Sequence, residues 1–510
     1  ARAAAKGERK GTMAKKDEAK AGDEDFIGVE DQIDLAGWGA FQTLAYVACY
    51  FFVVSDGMEL IVTNVTFRAM PIQEWGMDDS NRGYLISASF LGFVVGGLVG
   101  GFIGDQVGRR TMLFVHTAIF LPFTVVSGLS QSYQTLMVSR LFVGLSMGIV
   151  LPTAVSYFSE LCPTIFRGRA VVSLPMIGFT SGEVIVLLVG LGAMRVYGET
   201  DCGGDGCDWW RWMMVAGFVP DLIAVSLVYF FMPESPRFLL AQGRREEAEK
   251  AVRRIAEFNG TVGKLAEGGR LSPVRGGGGE EPAKLFKELL EAPLRDNLVL
   301  IIVVWGLLAL PLFGMGYLFP IMLEKQFDVS PSRQFLLMIP FVAAETIGVA
   351  MAFFFIDDIN VGRKRTIAAF EVVCVVLLAF GAYVSDWDLP WVVASYIVLK
   401  VVTAAPYNIM YTWAAELLPT THRNQGISIG NASTKLIGGV CLPVLLTALV
   451  MVNGMVAASR MTFVGYALAC VMTTAIVLNV GRETVGRVMV DVVDESLDDS
   501  SLLLTRRSSG

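Results

Sequence analysis

Apolar residues run along this chain in long, nearly unbroken stretches, not in the alternating stripes of a soluble fold. A helix needs about 20 mostly apolar residues to cross a bilayer. Twelve stretches reach that length, at 41–64, 82–103, 111–130, 135–159, 170–194, 211–232, 297–319, 333–356, 366–384, 390–415, 426–450 and 456–480. One such stretch alone could be the core helix of a soluble protein, but twelve predict an all-α membrane protein. The polar segment after the sixth divides the chain. The expected organisation is a disordered N-terminus (1–34), an N-terminal six-helix bundle (35–232), a loop with amphipathic helices (233–296), a C-terminal six-helix bundle (297–480) and a tail (481–510).

Composition agrees with this reading. Of 510 residues, 54% are hydrophobic and 17% charged, against about 25% charged in soluble proteins. The 53 glycines suit close helix packing in lipid. Two His and seven scattered Cys argue against a zinc site or a disulfide framework. Lys and Arg number 31 on the side of the termini and 7 on the opposite side, with Arg140, Lys400 and Lys435 inside the spans. That asymmetry predicts cytoplasmic termini. No apolar core of a signal peptide follows the first basic residues. Met13 is the first Met, so residues 1–12 read as upstream translation or as an artificial addition to the native protein.

The chain repeats itself. Glu160-Leu161-Cys162-Pro163-Thr164 is followed by Arg167, and Glu416-Leu417-Leu418-Pro419-Thr420 by Arg423, with the two copies 256 residues apart. A second pair sets Gly104-Asp105 and Gly108-Arg109-Arg110 against Asp358 and Gly362-Arg363-Lys364-Arg365. Both pairs fall on loops of the terminal side, after spans 2 and 8 and after spans 4 and 10. A six-span unit has thus been duplicated in parallel, an architecture that places a solute site between the halves near mid-membrane. The glycines permit tight turns. Asp105 can accept N–H bonds at a helix end. Arg109, Arg167 and Arg423 can pair with Glu160 or Glu416, and such pairs would latch a cytoplasmic gate.

This pattern resembles the major facilitator superfamily over all twelve spans. Pro233-Glu234-Ser235-Pro236-Arg237 after span 6 looks like the signature of sugar porters and organic-ion transporters, and Glu483-Thr484-Val485-Gly486-Arg487 is similar to its C-terminal counterpart. Gly37-Trp38-Gly39-Ala40-Phe41-Gln42, Ser55-Asp56-Gly57-Met58-Glu59 and Ser156-Tyr157-Phe158-Ser159-Glu160 look most like the synaptic vesicle glycoproteins and their related protein. Span 7, with Trp305-Gly306 and Pro311, lacks the Gln-Gln and Asn of hexose porters, which puts simple sugar transport in doubt. The short outer loops favour the related-protein subgroup.

Ionisable residues inside spans are costly and are functional candidates by default. Asp56 and Glu59 lie three apart on one face of span 1. Glu183 falls in span 5, Glu345 in span 8, Lys400 in span 10 and Lys435 in span 11. The resemblance places all six at a central cavity. A carboxyl in a low-dielectric cavity holds a proton more readily, and a nearby Lys opposes this. Asp56 or Glu59 is therefore expected to take a proton from the outer or lumenal side and release it inside. Lys400 and Lys435 are expected to hold an anionic group of the solute. The alternative for Glu345 is a fixed bridge to one of those lysines. Arg140 either pairs with Asp56 or touches solute, whereas Asp221 and Glu371 are expected to pair locally. Trp305, Phe313, Tyr317, Tyr407, Tyr411 and Trp413 sit in the spans that the resemblance assigns to the cavity, where aromatics can wall a pocket.

Outside the spans, Ser235-Pro236 starts a helix, Glu246–Phe258 and Lys284–Leu290 read as amphipathic helices, and Gly276–Gly279 as a linker. Cys202 and Cys207 can form a disulfide on the outer side. Asn64-Val65-Thr66 is a glycosylation sequon at the end of span 1. Asp498 to Leu502 and Leu503 looks like an acidic dileucine signal for sorting adaptors, which would direct the chain to endosomal, vesicular or vacuolar membranes; the plasma membrane is the alternative location. No nucleotide-binding motif, metal set or nucleophile–base constellation stands out, so an enzyme, a cofactor and nucleic-acid binding are not expected. The resulting expectation is a monomeric secondary transporter, proton-coupled, for a small anionic or zwitterionic organic solute. A sugar or polyol carrier and a non-transporting vesicle protein are the alternatives.

Overall fold

The computed structural model describes residues 26–71, 74–199, 208–265, 270–271, 287–292, 294–356 and 362–484. Among these, twelve helices are long and apolar enough to cross a membrane. They are Ala40–Ala69, Asp79–Gly100, Arg109–Gly128, Tyr133–Leu161, Thr164–Tyr197, Trp209–Phe231, Leu294–Lys325, Pro331–Ala352, Gly362–Val384, Leu389–Leu417, Gln425–Asn453 and Met455–Asn479, spans 1 to 12. Each expected stretch is met. Several helices outrun the apolar pattern, as in span 5, because hydrophobicity marks membrane depth whereas a helix ends where its caps are.

Spans 1–6 pack together, as do spans 7–12, and the halves meet where span 2 packs on span 11 and span 5 on span 8. Spans 2 and 4 approach each other through glycines. Gly92 and Gly96 lie against the backbone of Leu141 and Leu145, and Gly144 and Gly148 lie against that of Ser89, Phe93 and Gly96. A side chain at any of these would meet main chain, which is how small residues at i and i+4 bring helices together in lipid.

Span 11 is not uniform. An α-helical part, Thr420–Thr434, passes into a π-helical turn, Lys435–Cys441, and then an α-helix, Leu442–Asn453. The ring of Phe313 in span 7 packs on Gly438 and that of Phe90 in span 2 on Gly439. Such π turns are found preferentially at functional sites.

The terminal face carries an extra layer. Strands β1 (Phe26–Ile27) and β2 (Arg270–Leu271) pair in parallel. The helix Val29–Ala36 packs on the helices Pro236–Ala241 and Arg245–Asn259 around Val29, Ile33, Leu239, Leu240, Val252 and Leu271. Residues 26–34 were expected to lack order, and this is corrected. Val29, Ile33 and Ala36 recur at helical spacing and dock on the matching stripe of the 245–259 helix. Glu30 bridges Arg237 at 3.3 Å and Arg167 at 3.7 Å. Asp34 accepts the Thr164 N–H at 2.6 Å and so caps span 5. Ser235 Oγ accepts the Phe238 N–H at 3.2 Å, the helix start read from Ser-Pro.

Several expectations fall outside the described residues: Asp358, the Cys202 and Cys207 pair, Leu502, Leu503, and the side chains of Asp105 and Arg423.

Candidate functional site

Four charges from three helices of the C-terminal half and one of the N-terminal half gather near the seam. Lys400 Nζ of span 10 pairs with Glu345 Oε2 of span 8 at 2.8 Å. Glu183 of span 5, buried, lies within electrostatic range of Lys400, Glu345 and Lys435. The interhelical bridge considered for Glu345 is thus present, and its partner is Lys400. Lys435 differs. Its ammonium lies 4.4 Å from the centre of the Phe313 ring and 5.1 Å from that of Phe93. Among the described residues no carboxylate lies within ion-pair distance of it. Phe313 belongs to the C-terminal half and Phe93 to the N-terminal half, so Lys435 is held by aromatic faces from both.

Aromatic rings continue away from this point. Phe313 meets Phe90 at 6.0 Å and Tyr407 at 5.9 Å, Tyr407 meets Trp305 at 6.2 Å, and Trp305 meets Tyr411 edge-on at 4.5 Å. Tyr407 and Tyr411 already engage Thr434 and Asn431 through their hydroxyls. Trp305 is wholly buried, and its Nε1 has no acceptor among the described residues. Tyr317 stands apart, bonded to Thr447 nearer the far face, and Trp413 donates to the Arg482 carbonyl at the terminal face. Within the N-terminal half, Glu59, Thr63, Ser89, Phe90, Phe93 and Met147 of spans 1, 2 and 4 line a cavity of about 10 Å³, room for roughly one water.

The N-terminal half holds a second polar group. Arg140 pairs with Glu59, both fully buried, and not with Asp56 as considered from sequence. Asp221 of span 6 has the local partner expected of it, His116 of span 3, at 2.7 Å from Nε2 to Oδ1. His116 Nδ1 lies 2.9 Å from the Ser146 carbonyl. That carbonyl can only accept, so Nδ1 carries a hydrogen. The Nε2–Oδ1 contact needs one more, on ring or on carboxyl, and either way the pair is neutral. Asp56 is fully buried, and neither of its oxygens has a hydrogen-bond partner among the described residues. Glu371 is buried beside Cys374 and Cys470.

The repeated loops form matching sites at the terminal face. Arg109 pairs with Glu160 at 3.1 Å, and Arg363 with Glu416 at 3.0 Å. These pairs stay within each half, and Arg167 reaches Glu30 and the Cys162 carbonyl. Glu234 accepts the Arg110 N–H at 3.0 Å, and Glu483 accepts those of Arg363 and Lys364 at 3.0 and 3.1 Å. Each carboxylate thereby caps the start of span 3 or span 9. The turn before each helix is Gly108, at φ 102°, or Gly362, at φ 72°. A side chain at Gly108 would also stand 2.5 Å from Glu234 Oε2. Glu234 and Glu483 were quoted in the sequence motifs without a role; their recurrence after the last span of each half was the available signal.

Polar contacts cross the seam at the far face. Arg82 joins Asn64 at 2.9 Å and Glu324 at 2.8 Å, Arg68 donates to the Val329 carbonyl at 2.8 Å, and Glu199 accepts the Ser332 N–H at 2.8 Å. Lys325 pairs with Asp79. Sequence reasoning missed this set, although charges flanking apolar runs marked it. Asn64 is buried and bonded here, which leaves no room for a glycan on its sequon.

Comparison with known proteins now has a geometry to attach to. Residues 34–493 match the family model described as Sugar (and other) transporter. The Synaptic vesicle 2-related protein of Xenopus laevis is 23% identical over 498 residues, covering 94% of this chain and 84% of that one. The 4-hydroxybenzoate transporter of Acinetobacter baylyi is 29% identical over 215 residues, 42% of this chain and 44% of that relative, so this match spans under half its length. The crystal structure of the D-xylose-proton symporter superposes with a TM-score of 0.67 at 18% identity, over 87% of this chain and 99% of that one. With twelve apolar helices, a duplicated six-span unit and a match over nearly its whole length, the chain belongs to the sugar (and other) transporter family and has the fold of the major facilitator superfamily.

Proposed function

We propose that this transporter moves a small organic anion or zwitterion by alternating access, driven by protons, with its termini in the cytoplasm. The observation that carries the reading is Lys435, a buried cation at the seam with no carboxylate in ion-pair distance among the described residues. A desolvated positive charge is costly unless something neutralises it, and an anionic solute would do so. Lys400 is already paired with Glu345, whereas Lys435 feels Glu183, Glu345 and Asp56 only from beyond ion-pair distance, so Lys435 is the cation open to the solute. The 4-hydroxybenzoate relative, whose named solute is an acid, points the same way.

Charge balance supports the proton. Glu59–Arg140 is a neutral pair and so is His116–Asp221, which leaves Asp56 as the unbalanced carboxyl between them. Burying a lone carboxylate costs several kcal/mol. Asp56 therefore carries the proton while sealed, and loses it when the halves rock and water reaches it. The Arg109–Glu160 and Arg363–Glu416 pairs, with the capping Glu234 and Glu483, form the cytoplasmic hinge sites. The cross-seam contacts of Arg82, Arg68, Glu199 and Lys325 form the outer gate.

The test is uptake into proteoliposomes with an imposed pH gradient. The expected result is accumulation of an organic acid, with Asp56→Asn keeping exchange but losing gradient-driven accumulation. Lys435→Met removes a charged interaction of about 1.5–3 kcal/mol, hence raises KM roughly 10- to 100-fold. Accumulation of a sugar with no response to any acid would overturn the reading in favour of a neutral solute.

A further inference from the structure

The four charges near the seam stand in an alternating row. Of its charged neighbours, Glu183 of span 5 feels Lys400 most strongly. Lys400 is bonded to Glu345 at 2.8 Å, and Lys435 in turn feels Glu345 most strongly. The order is thus carboxylate, ammonium, carboxylate, ammonium, carried by spans 5, 10, 8 and 11. One bonded pair occupies the middle, and both ends are left over. Glu183 is only 8% exposed, yet among the described residues it makes no hydrogen bond and no ion pair. Lys435 is buried and rests on the rings of Phe313 and Phe93. Asp56 also acts on Lys435, but it is the carboxyl read above as protonated while sealed, so it offers no competing charge.

Such a row has two ways to pair. In the first, present here, the middle pair forms and the ends wait. In the second, every charge has a partner: Glu183 with Lys400, and Glu345 with Lys435. Buried charges left unpaired are costly, so the second pairing wins unless something else satisfies the ends. Lys435 has its ring faces, a partial substitute for a carboxylate. An anion on Lys435 would satisfy it fully and leave Glu345 to Lys400. The side chains permit the exchange. Lys400 carries its ammonium on a flexible stem, and the Glu345 side chain is 25% exposed, with room to turn. The two pairings differ in what they join. Lys400 and Glu345 both belong to the C-terminal half, whereas a Glu183–Lys400 pair ties span 5 to span 10 across the seam. Span 5 packs on span 8 here, so that pair would draw a further span of the second half onto it.

We propose that these four residues exchange partners: Lys400 passes from Glu345 to Glu183 as the halves rock, and an anion bound at Lys435 holds it on Glu345. The last clause rests on the organic-anion reading above; the exchange itself does not. The pairing present here accompanies a far face shut by contacts across the seam. The exchanged pairing then belongs to the state with the far face open. An element with two discrete arrangements can be biased by a ligand at one end, so the occupancy of Lys435 is passed to the other half through Glu183. Glu183 is a positioning residue, because it acts on Lys400 and not on the solute.

The test places spin labels on the far ends of spans 5 and 8, with the full chain in liposomes and no solute. Glu345→Gln leaves Lys400 only Glu183, so the longer distance of the open far face should gain population. Glu183→Gln removes the pair across the seam, so that distance should lose population several-fold, and Glu183→Asp should recover part of it. Loss of a buried carboxylate as such would move both variants the same way. The exchange moves them oppositely, although both carboxylates serve the same lysine. If Glu345→Gln does not reach the membrane, Lys435→Met takes its place: it strands Glu345 in the exchanged pairing and should match Glu183→Gln. Shifts of Glu345→Gln and Glu183→Gln in one direction, no shift in either, or a Lys435→Met opposite to Glu183→Gln overturns the proposal. Benzoate, as the acid probe, should shorten the distance in the unaltered protein and leave Lys435→Met unmoved. Opposite shifts of the variants without a response to benzoate keep the exchange and remove the anion as its trigger. A response to benzoate with variants that do not separate ends the exchange and leaves the organic-anion reading standing.

Discussion

Individual residues in this membrane protein are held by local charge balance, and His116 illustrates it. Both of its ring nitrogens meet oxygen, the Ser146 carbonyl at 2.9 Å and Asp221 at 2.7 Å, in a fully buried place. Asp221→Asn keeps both contacts, since a neutral imidazole can donate from Nδ1 and accept the amide N–H at Nε2. His116→Ala instead leaves a carboxyl buried alone. We therefore expect His116→Ala to destabilise the protein by roughly 3–5 kcal/mol and Asp221→Asn by much less, read as thermal unfolding in detergent. Equal losses for the two variants would contradict the shared-proton pairing. The sequence marked these residues as candidates because they are ionisable and lie in apolar runs. It did not disclose their partners. Asp56 and Glu59, three apart on span 1, fall on the same general face, yet Glu59 reaches Arg140 of span 4 while Asp56 is left without a hydrogen bond. A few tens of degrees around the helix decide this, and no spacing rule resolves that angle.

At the scale of elements, the helix starts on the terminal face follow one design twice over. A glycine turns the chain, a helix begins, and a distant carboxylate caps it. Gly108 sits at φ 102° and ψ 150°, a region open essentially to glycine, with a cost of about 1–3 kcal/mol for other residues. Gly108→Ala should lower the unfolding temperature and loosen the Glu234 cap, with faster hydrogen exchange at the Arg110 amide as the measure. Unchanged exchange there would show that the turn tolerates a side chain. The glycines and the repeat were legible in the sequence, because identical motifs 256 residues apart need no structure to be seen. The capping carboxylates were quoted without a role, since they lie more than a hundred residues from the helices they cap. The helix Val29–Ala36 was missed because charge dominates its neighbourhood, and its apolar stripe has meaning only against the loop helices.

For the whole molecule, the twelve helices and their order were legible because each apolar run is long enough to leave no other choice. Which face is closed was not, since that depends on contacts between halves that share no local signal. The far face is shut by pairs crossing the seam, and Glu199 is the one whose titration can be read. Its hydrogen bonds to Ser332 hold it below the usual carboxylate range. A lowered value means that the contact is present while Glu199 is ionised and is lost as pH falls through that lowered value, below the ordinary carboxylate value of about 4.3. Acidifying that face should thus widen the distance between spin labels on the far ends of spans 5 and 8. In Glu199→Gln this acid step should be absent, and a step of equal size in the variant would assign it to another group.

The layer on the terminal face also has a mechanical meaning. Helices 29–36, 236–241 and 245–259 grip one another, the start of span 5 through Asp34, and the start of span 1 through Asn259, which accepts the Phe41 N–H at 3.0 Å and donates to Gln42 at 2.8 Å. All of these anchors belong to the first six spans. In the language of machines, under the rocking proposed above the first half with this bracing is the stator and the second half the rotor. A reporter fixed to the bracing would share the stator's frame, and the stroke would be visible only from the other side.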